Sequence, residues 1–229
     1  MLGLIIQLLI SWLLLWVYNK SNLKELGLTP TKQRLIDFGL FFTITAALCA
    51  SGFLLKMLIA QQRWQINDGY NGWQFANAFW WNIKSVLFEE FIFRGVLLYI
   101  LIKRIGQTKA ILISAISFGV YHWFSHEIFG QIQAMIIEFI TTGVIGLVLA
   151  FGFSKTSSMY IPIAIHLGWN YMQQAVFSGG PIGNQIFIEI MPRPVITVSY
   201  FAFFFMILFP LVSTIGVNYW MIRRKKEVI

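Results

Sequence analysis

The sequence has too little charge to coat a soluble globule. Only 11% of its 229 residues are charged, against roughly 25% in soluble domains, while 58% are hydrophobic. The mean hydropathy of +0.71 leaves apolar surface that must face lipid. No polar stretch is long enough to form a soluble domain, so the chain reads as one integral membrane domain, 1–229. The single cysteine, Cys49, lies in an apolar run. That excludes an intramolecular disulfide and any metal or redox motif built on cysteine. Acidic residues are few, 9 against 17 basic ones. The excess of positive charge could suggest nucleic acid, but no basic patch with interleaved aromatics occurs outside the apolar runs, so that partner is excluded. The apolar start, Met1 to Tyr18, lacks a basic leader region and a small-residue cleavage site, and reads as a retained span. No alternating ten-residue segments point to a barrel. No internal repeat of the kind found in many transporters is visible.

What is present is a series of long apolar runs. A helix needs about 20 apolar residues to cross the hydrocarbon core, and lipid forces backbone groups to pair within the segment. The expected fold is therefore all-α, a polytopic transmembrane bundle. Seven spans are expected, at 1–18, 35–60, 79–102, 107–124, 133–154, 158–178 and 196–221, or eight if a short or re-entrant helix lies within 61–78. Twelve basic residues occupy alternate loops: Lys20, Lys24, Lys32, Arg34, Lys103, Arg104, Lys109, Lys155 and the closing run Arg223 to Lys226. The opposite loops hold only Arg63 and Arg193. The positive-inside rule then puts the N-terminus outside and the C-terminus in the cytoplasm, across the plasma membrane if the cell is bacterial. The loops 61–77 and 179–194, rich in turn residues, are expected at the outer interface.

Against this background a few residues are costly. A charge at mid-membrane costs at least about 2.5–3.5 kcal/mol, yet Glu89, Glu90 and Arg94 fall together in FEEFIFRG. They must face the bundle interior or a water-filled cavity. Glu90 and Arg94 are four apart and share a helical face. Glu89 is rotated by about 100° from Glu90, which lets two adjacent carboxylates take different roles. A buried ion-pair network that only fixes packing is the bland alternative. FGVYHWFSH places Phe118 and His122 four apart, with His126 one turn on, and HLGWN does the same for His166 and Asn170. Gly168 lets another helix approach closely. His126 and Glu138 read as interfacial or locally paired groups, and Lys84 as a snorkelling side chain.

Taken in order, E-E-x-x-x-R at Glu89–Arg94, F-x-x-x-H at Phe118–His122 and H-x-x-x-N at His166–Asn170 resemble the three motifs of the CAAX-processing and bacteriocin-processing (CPBP, or Abi) family of intramembrane proteases. That family includes the type II CAAX prenyl endopeptidases. The resemblance runs from Glu89 to Asn170, within a motif-bearing core at about 79–178. It implies an all-helical membrane fold enclosing a site for peptide-bond hydrolysis. It further implies that Glu89 activates the attacking water, that His122 assists the water or the leaving group, and that His166 and Asn170 position the water and stabilise the oxyanion. Glu90 and Arg94 would support them.

The residues themselves agree with hydrolysis. No serine or cysteine stands beside a histidine in these motifs, so water is the expected nucleophile, activated by a carboxylate or a metal. Glu89, His122 and His166 could supply three ligands and an open fourth position, which suits catalytic zinc. The H-E-x-x-H motif is absent, and metal dependence stays open. The expected partners are membrane lipid and a membrane-anchored peptide or protein, prenylated or otherwise lipophilic. Two other classes compete: a proton-coupled transporter or channel, since buried carboxylates and histidines also build proton relays, and a non-catalytic membrane scaffold or immunity protein.

Overall fold

The computed structural model describes residues 2–227 and is an all-helical bundle with one small sheet. In chain order it holds α1 (Leu2–Asn19), a 3-10 turn (Leu23–Leu26), α2 (Lys32–Ile59), β1 (Trp64–Ile66), α3 (Gly72–Phe93), α4 (Val96–Ile105), α5 (Gln107–Ser125), α6 (Ile132–Thr156), α7 (Tyr160–Tyr171), a π turn (Met172–Val176), β2 (Phe187–Glu189) and α8 (Tyr200–Arg223).

Helix length corrects the expected span count. Among the described residues four helices are long and apolar enough to cross a membrane: α1, α2, α6 and α8. The expected span 79–102 is broken. α3 starts earlier, where the Asn71 side chain accepts from the backbone N–H of Trp73 and Gln74 and the Gln74 side chain accepts from the Asn71 N–H. It stops at Arg94, and Gly95 follows with the Phe91 carbonyl lying where a Cβ would project. Only glycine fits there, and the chain restarts as α4. The expected span 158–178 also shortens. α7 has 12 residues, about 18 Å of helix, before it widens into the π turn. α3 and α5 are long enough but carry too many polar side chains to count as apolar spans. The segment 61–71 holds β1 and turns, so no extra helix lies there.

The loops 61–77 and 179–194, expected on the same side, are joined. β1 and β2 pair antiparallel with Trp64 opposite Glu189 and Ile66 opposite Phe187. The other end of the bundle gathers the basic loops. There Met159 N–H donates to the Leu26 carbonyl at 3.2 Å, and the Tyr99 hydroxyl to Glu25 at 2.9 Å. Lys225 pairs with Asp37 at 2.5 Å and Lys155 with Glu227 at 3.1 Å.

Between the ends, α2 packs on α7 and α8, and α5 on α6. The α2–α7 approach is close because of Gly168: a Cβ there would stand 2.6 Å from the Phe42 carbonyl oxygen. The close approach expected of Gly168 is present. It holds α7 against α2 and fixes the height at which His166 enters the core.

Candidate active site

Three helices bring the sequence-expected residues to one place. Glu89 and Glu90 come from the last turn of α3, His122 from the last turn of α5 and His166 from the middle of α7. Glu90 and Arg94 are fully buried, and Glu89, His122 and His166 nearly so.

The expected Glu90–Arg94 pair forms, with Nη1 donating to Oε1 at 3.1 Å. The same carboxylate oxygen accepts from His166 Nδ1 at 2.7 Å. Glu90 therefore ties α3 to α7 as well as to its own Arg94. The guanidinium also lies on the Phe118 ring, 3.9 Å from its centroid, a cation–π contact that gains strength when water is excluded. Ser114 closes the end of α3 by donating to the Phe93 carbonyl at 2.7 Å.

His122 is fixed differently. Its Nδ1 lies 2.8 Å from the Phe118 carbonyl oxygen, which can only accept, so Nδ1 carries the hydrogen. Phe118, Tyr121 and His126 pack edge-on around the ring, with centroids at 4.5, 5.4 and 5.1 Å. Both imidazoles thus have Nδ1 tied back, one to Glu90 and one to a main-chain carbonyl. That leaves each Nε2 turned towards Glu89. His166 Nε2 is 3.7 Å and His122 Nε2 is 3.9 Å from Glu89 Oε2, an oxygen with no hydrogen-bond partner among the described residues. Both gaps are longer than a direct hydrogen bond.

Asn170 follows His166 by one turn on α7 and is half-buried. Among the described residues it makes no hydrogen bond to the other five. His126 and Glu138, read from sequence as interfacial or locally paired, are paired with each other at 3.1 Å, on the exposed side of His122. Phe118 is the residue whose part the sequence hid. Its spacing to His122 was legible, but not its ring beneath Arg94 or its carbonyl at His122.

Zinc, left open by the sequence, is not favoured by the spacing of these side chains. Two donors on one zinc with bonds of about 2.0–2.1 Å stand about 3.3 Å apart in a tetrahedral site, and Glu89 Oε2 is farther than that from both imidazoles. Among the described residues no group of three or more His, Cys, Asp or Glu side chains is arranged to hold a metal ion.

Comparison with known proteins bears on the same segment. No curated protein and no solved structure matches the chain. Residues 71–172 match the family model described as Type II CAAX prenyl endopeptidase Rce1-like, and this stretch contains α3 to α7 with all seven motif residues. The matched stretch, the motif order and the membrane helices make this core of the chain similar to the Rce1-like type II CAAX prenyl endopeptidases.

Proposed function

We propose that the protein is an intramembrane endopeptidase that hydrolyses a peptide bond of a membrane-associated substrate, prenylated or otherwise lipophilic, with Glu89 as general base. One observation carries the reading: two imidazoles with Nδ1 fastened elsewhere turn both Nε2 atoms towards one free carboxylate oxygen. In this reading a water donates one hydrogen to Glu89 Oε2 and the other to one of the two Nε2 lone pairs, and is held there before substrate arrives. That arrangement removes the reorganisation which catalysis in bulk water requires.

In the reaction the water oxygen attacks the carbonyl carbon and its proton passes to Glu89. Charge develops on the carbonyl oxygen, to which the Asn170 side-chain amide donates. The tetrahedral intermediate collapses, the C–N bond breaks, and Glu89 returns the proton to the leaving nitrogen. The Nε2 lone pairs of His122 and His166 orient the water by accepting its second hydrogen. Glu90 and Arg94 are positioning residues that set the His166 ring. No metal step is drawn, because the spacing of the donor set does not favour one. In this reading the basic end lies in the cytoplasm and the N-terminus outside, as the positive-inside rule requires.

The test is incubation of the purified protein with a peptide library, with and without a chelator, read by mass spectrometry beside Glu89→Ala. Cleavage by the native chain alone, surviving chelation, is the expected result. No cleavage under any condition sinks the reading. Cleavage abolished by the chelator and restored by zinc replaces the carboxylate–water mechanism with a metal one.

A further inference from the structure

At the end of the bundle away from the basic loops, the paired loops enclose a cavity of about 530 Å³ that the proposed chemistry does not use. Its floor is aromatic. Phe53 and Phe177 stack at 4.0 Å, and the Trp64 ring stands edge-on to both, at 5.6 and 5.3 Å. Two charged elements line it. Arg193 is already bound by Glu189, with Nε and Nη2 donating to the two carboxylate oxygens at 2.6 and 2.8 Å. Lys56, in the last turn of α2, has no acidic partner among the described residues and rests only near the Phe53 ring, 5.1 Å away. The wall also holds one orphan donor, Trp64 Nε1, and one orphan acceptor, Gln62 Oε1. Unpaired buried polar atoms are rare and call for an explanation.

A peptide group supplies both missing partners at once, its C=O for the indole and its N–H for the glutamine. The unpaired ammonium calls for a carboxylate. The place of the cavity fits as well. Gln173, in its wall, lies three residues beyond Asn170, so His166, Asn170 and Gln173 follow one another along one face as α7 passes into the π turn.

We infer that this cavity binds an acidic peptide segment, and that it receives the part of the substrate that lies outside the membrane at the end opposite the basic loops. The identity of the occupant rests on the endopeptidase reading; the binding does not. The experiment therefore uses the full-length Glu89→Gln protein in nanodiscs, which holds peptide without turnover. The probes are a fluorescent hexapeptide bearing one glutamate, its glutamine counterpart and its lysine counterpart, each amidated at the C-terminus.

The acidic peptide is expected to bind about tenfold tighter than the neutral one, which is about 1.4 kcal/mol. Adding Lys56→Gln abolishes the difference, and Lys56→Glu transfers the preference to the lysine peptide. Trp64→Phe, which keeps a ring and removes the orphan donor, weakens all three peptides a few-fold. That variant leaves Lys56 in place and guards against a folding defect at that position. Equal binding of the three peptides to the parent, or an unchanged preference after Lys56→Gln, overturns the inference. Displacement of the acidic peptide by equimolar sodium glutamate reduces the cavity to a small-anion site and overturns it too. Absence of cleavage by the native chain with charge-selective binding intact counts against the hydrolase reading alone.

Discussion

Glu89 and Glu90 are neighbours in sequence and opposites in surroundings. Glu90 is fully buried, and one of its oxygens accepts from Arg94 on its own helix and from His166 on α7. Glu89 keeps 13% of its side chain exposed, and its Oε2 has no hydrogen-bond partner among the described residues, with two imidazole nitrogens just beyond bonding distance. Glu90 Oε2 likewise has no partner among the described residues, so the contrast lies in Oε1 of Glu90, which bonds to two side chains, and in the two imidazoles that face Glu89. The division follows from the helix: a step of about 100° points Glu90 at α7 and Glu89 at the gap shared by α5 and α7.

Glu89→Gln should break the free side of this pair and nothing else. The amide is isosteric, and Glu89 Oε2 gives up no hydrogen bond within the protein. General-base catalysis is worth typically about 10²–10⁴-fold, so the cleavage rate falls by that factor while the melting temperature stays within about 2 °C, the scale of a fraction of a kcal/mol. Cleavage kinetics and a thermal melt on the same preparation check both halves. A melting temperature that falls with the rate would show Glu89 to be a structural residue.

Glu90→Gln should break the other side. It leaves Arg94 buried without its counter-charge, a loss of about 3–5 kcal/mol, and frees the His166 ring. Replacing both partners, Glu90→Leu with Arg94→Met, removes the buried charges together, and such replacements are often neutral for stability. The double variant should melt near the native temperature and still cleave slowly, because His166 Nδ1 has lost its acceptor. Recovery of rate along with stability would reduce Glu90 and Arg94 to packing residues.

The sequence made this contrast legible only in part. Four-residue spacing exposed Glu90–Arg94, Phe118–His122 and His166–Asn170 because such pairs lie within one helix. The Glu90–His166 bond spans 76 positions, and no local rule predicts it. The bundle was legible from hydropathy, but not the break at Gly95 or the short α7. An apolar run looks the same whether it crosses lipid unbroken or bends inside the protein, and the break is set by where the Phe91 carbonyl sits. The β1–β2 pairing was hidden for a related reason. Three-residue strands leave no alternation to read, although both loops were expected on the same side.

A smaller effect follows from the seating of α7. Gly168→Ala puts a methyl group 2.6 Å from the Phe42 carbonyl oxygen, and overpacking of this kind costs typically about 1–3 kcal/mol. The relief is a shift of α7 away from α2, which moves His166 relative to Glu90. Stability and rate should fall together, unlike the response to Glu89→Gln. Hydrogen exchange localises the change: faster exchange in α7 and the facing part of α2 is expected. A loss of rate with α7 protection unchanged would place the fault elsewhere.

The least effect is expected where the same chemistry recurs in a wet setting. His126 and Glu138 are also an imidazole and a carboxylate within reach, at 3.1 Å, but their side chains are 53% and 25% exposed. Exposed ion pairs contribute about 0–1 kcal/mol, and salt screens them. Glu138→Gln should therefore lower stability by less than about 1 kcal/mol, with a cleavage rate within about threefold of the native value, since it leaves the His126 ring free to keep its edge-on contact with His122. The comparison with Glu90→Gln is direct: each removes the charge of a carboxylate that faces a histidine, and the two differ in burial and in what the histidine does. A loss of rate from Glu138→Gln as large as that from Glu90→Gln would mean that the site extends to the surface through His126, and that its boundary belongs beyond His122.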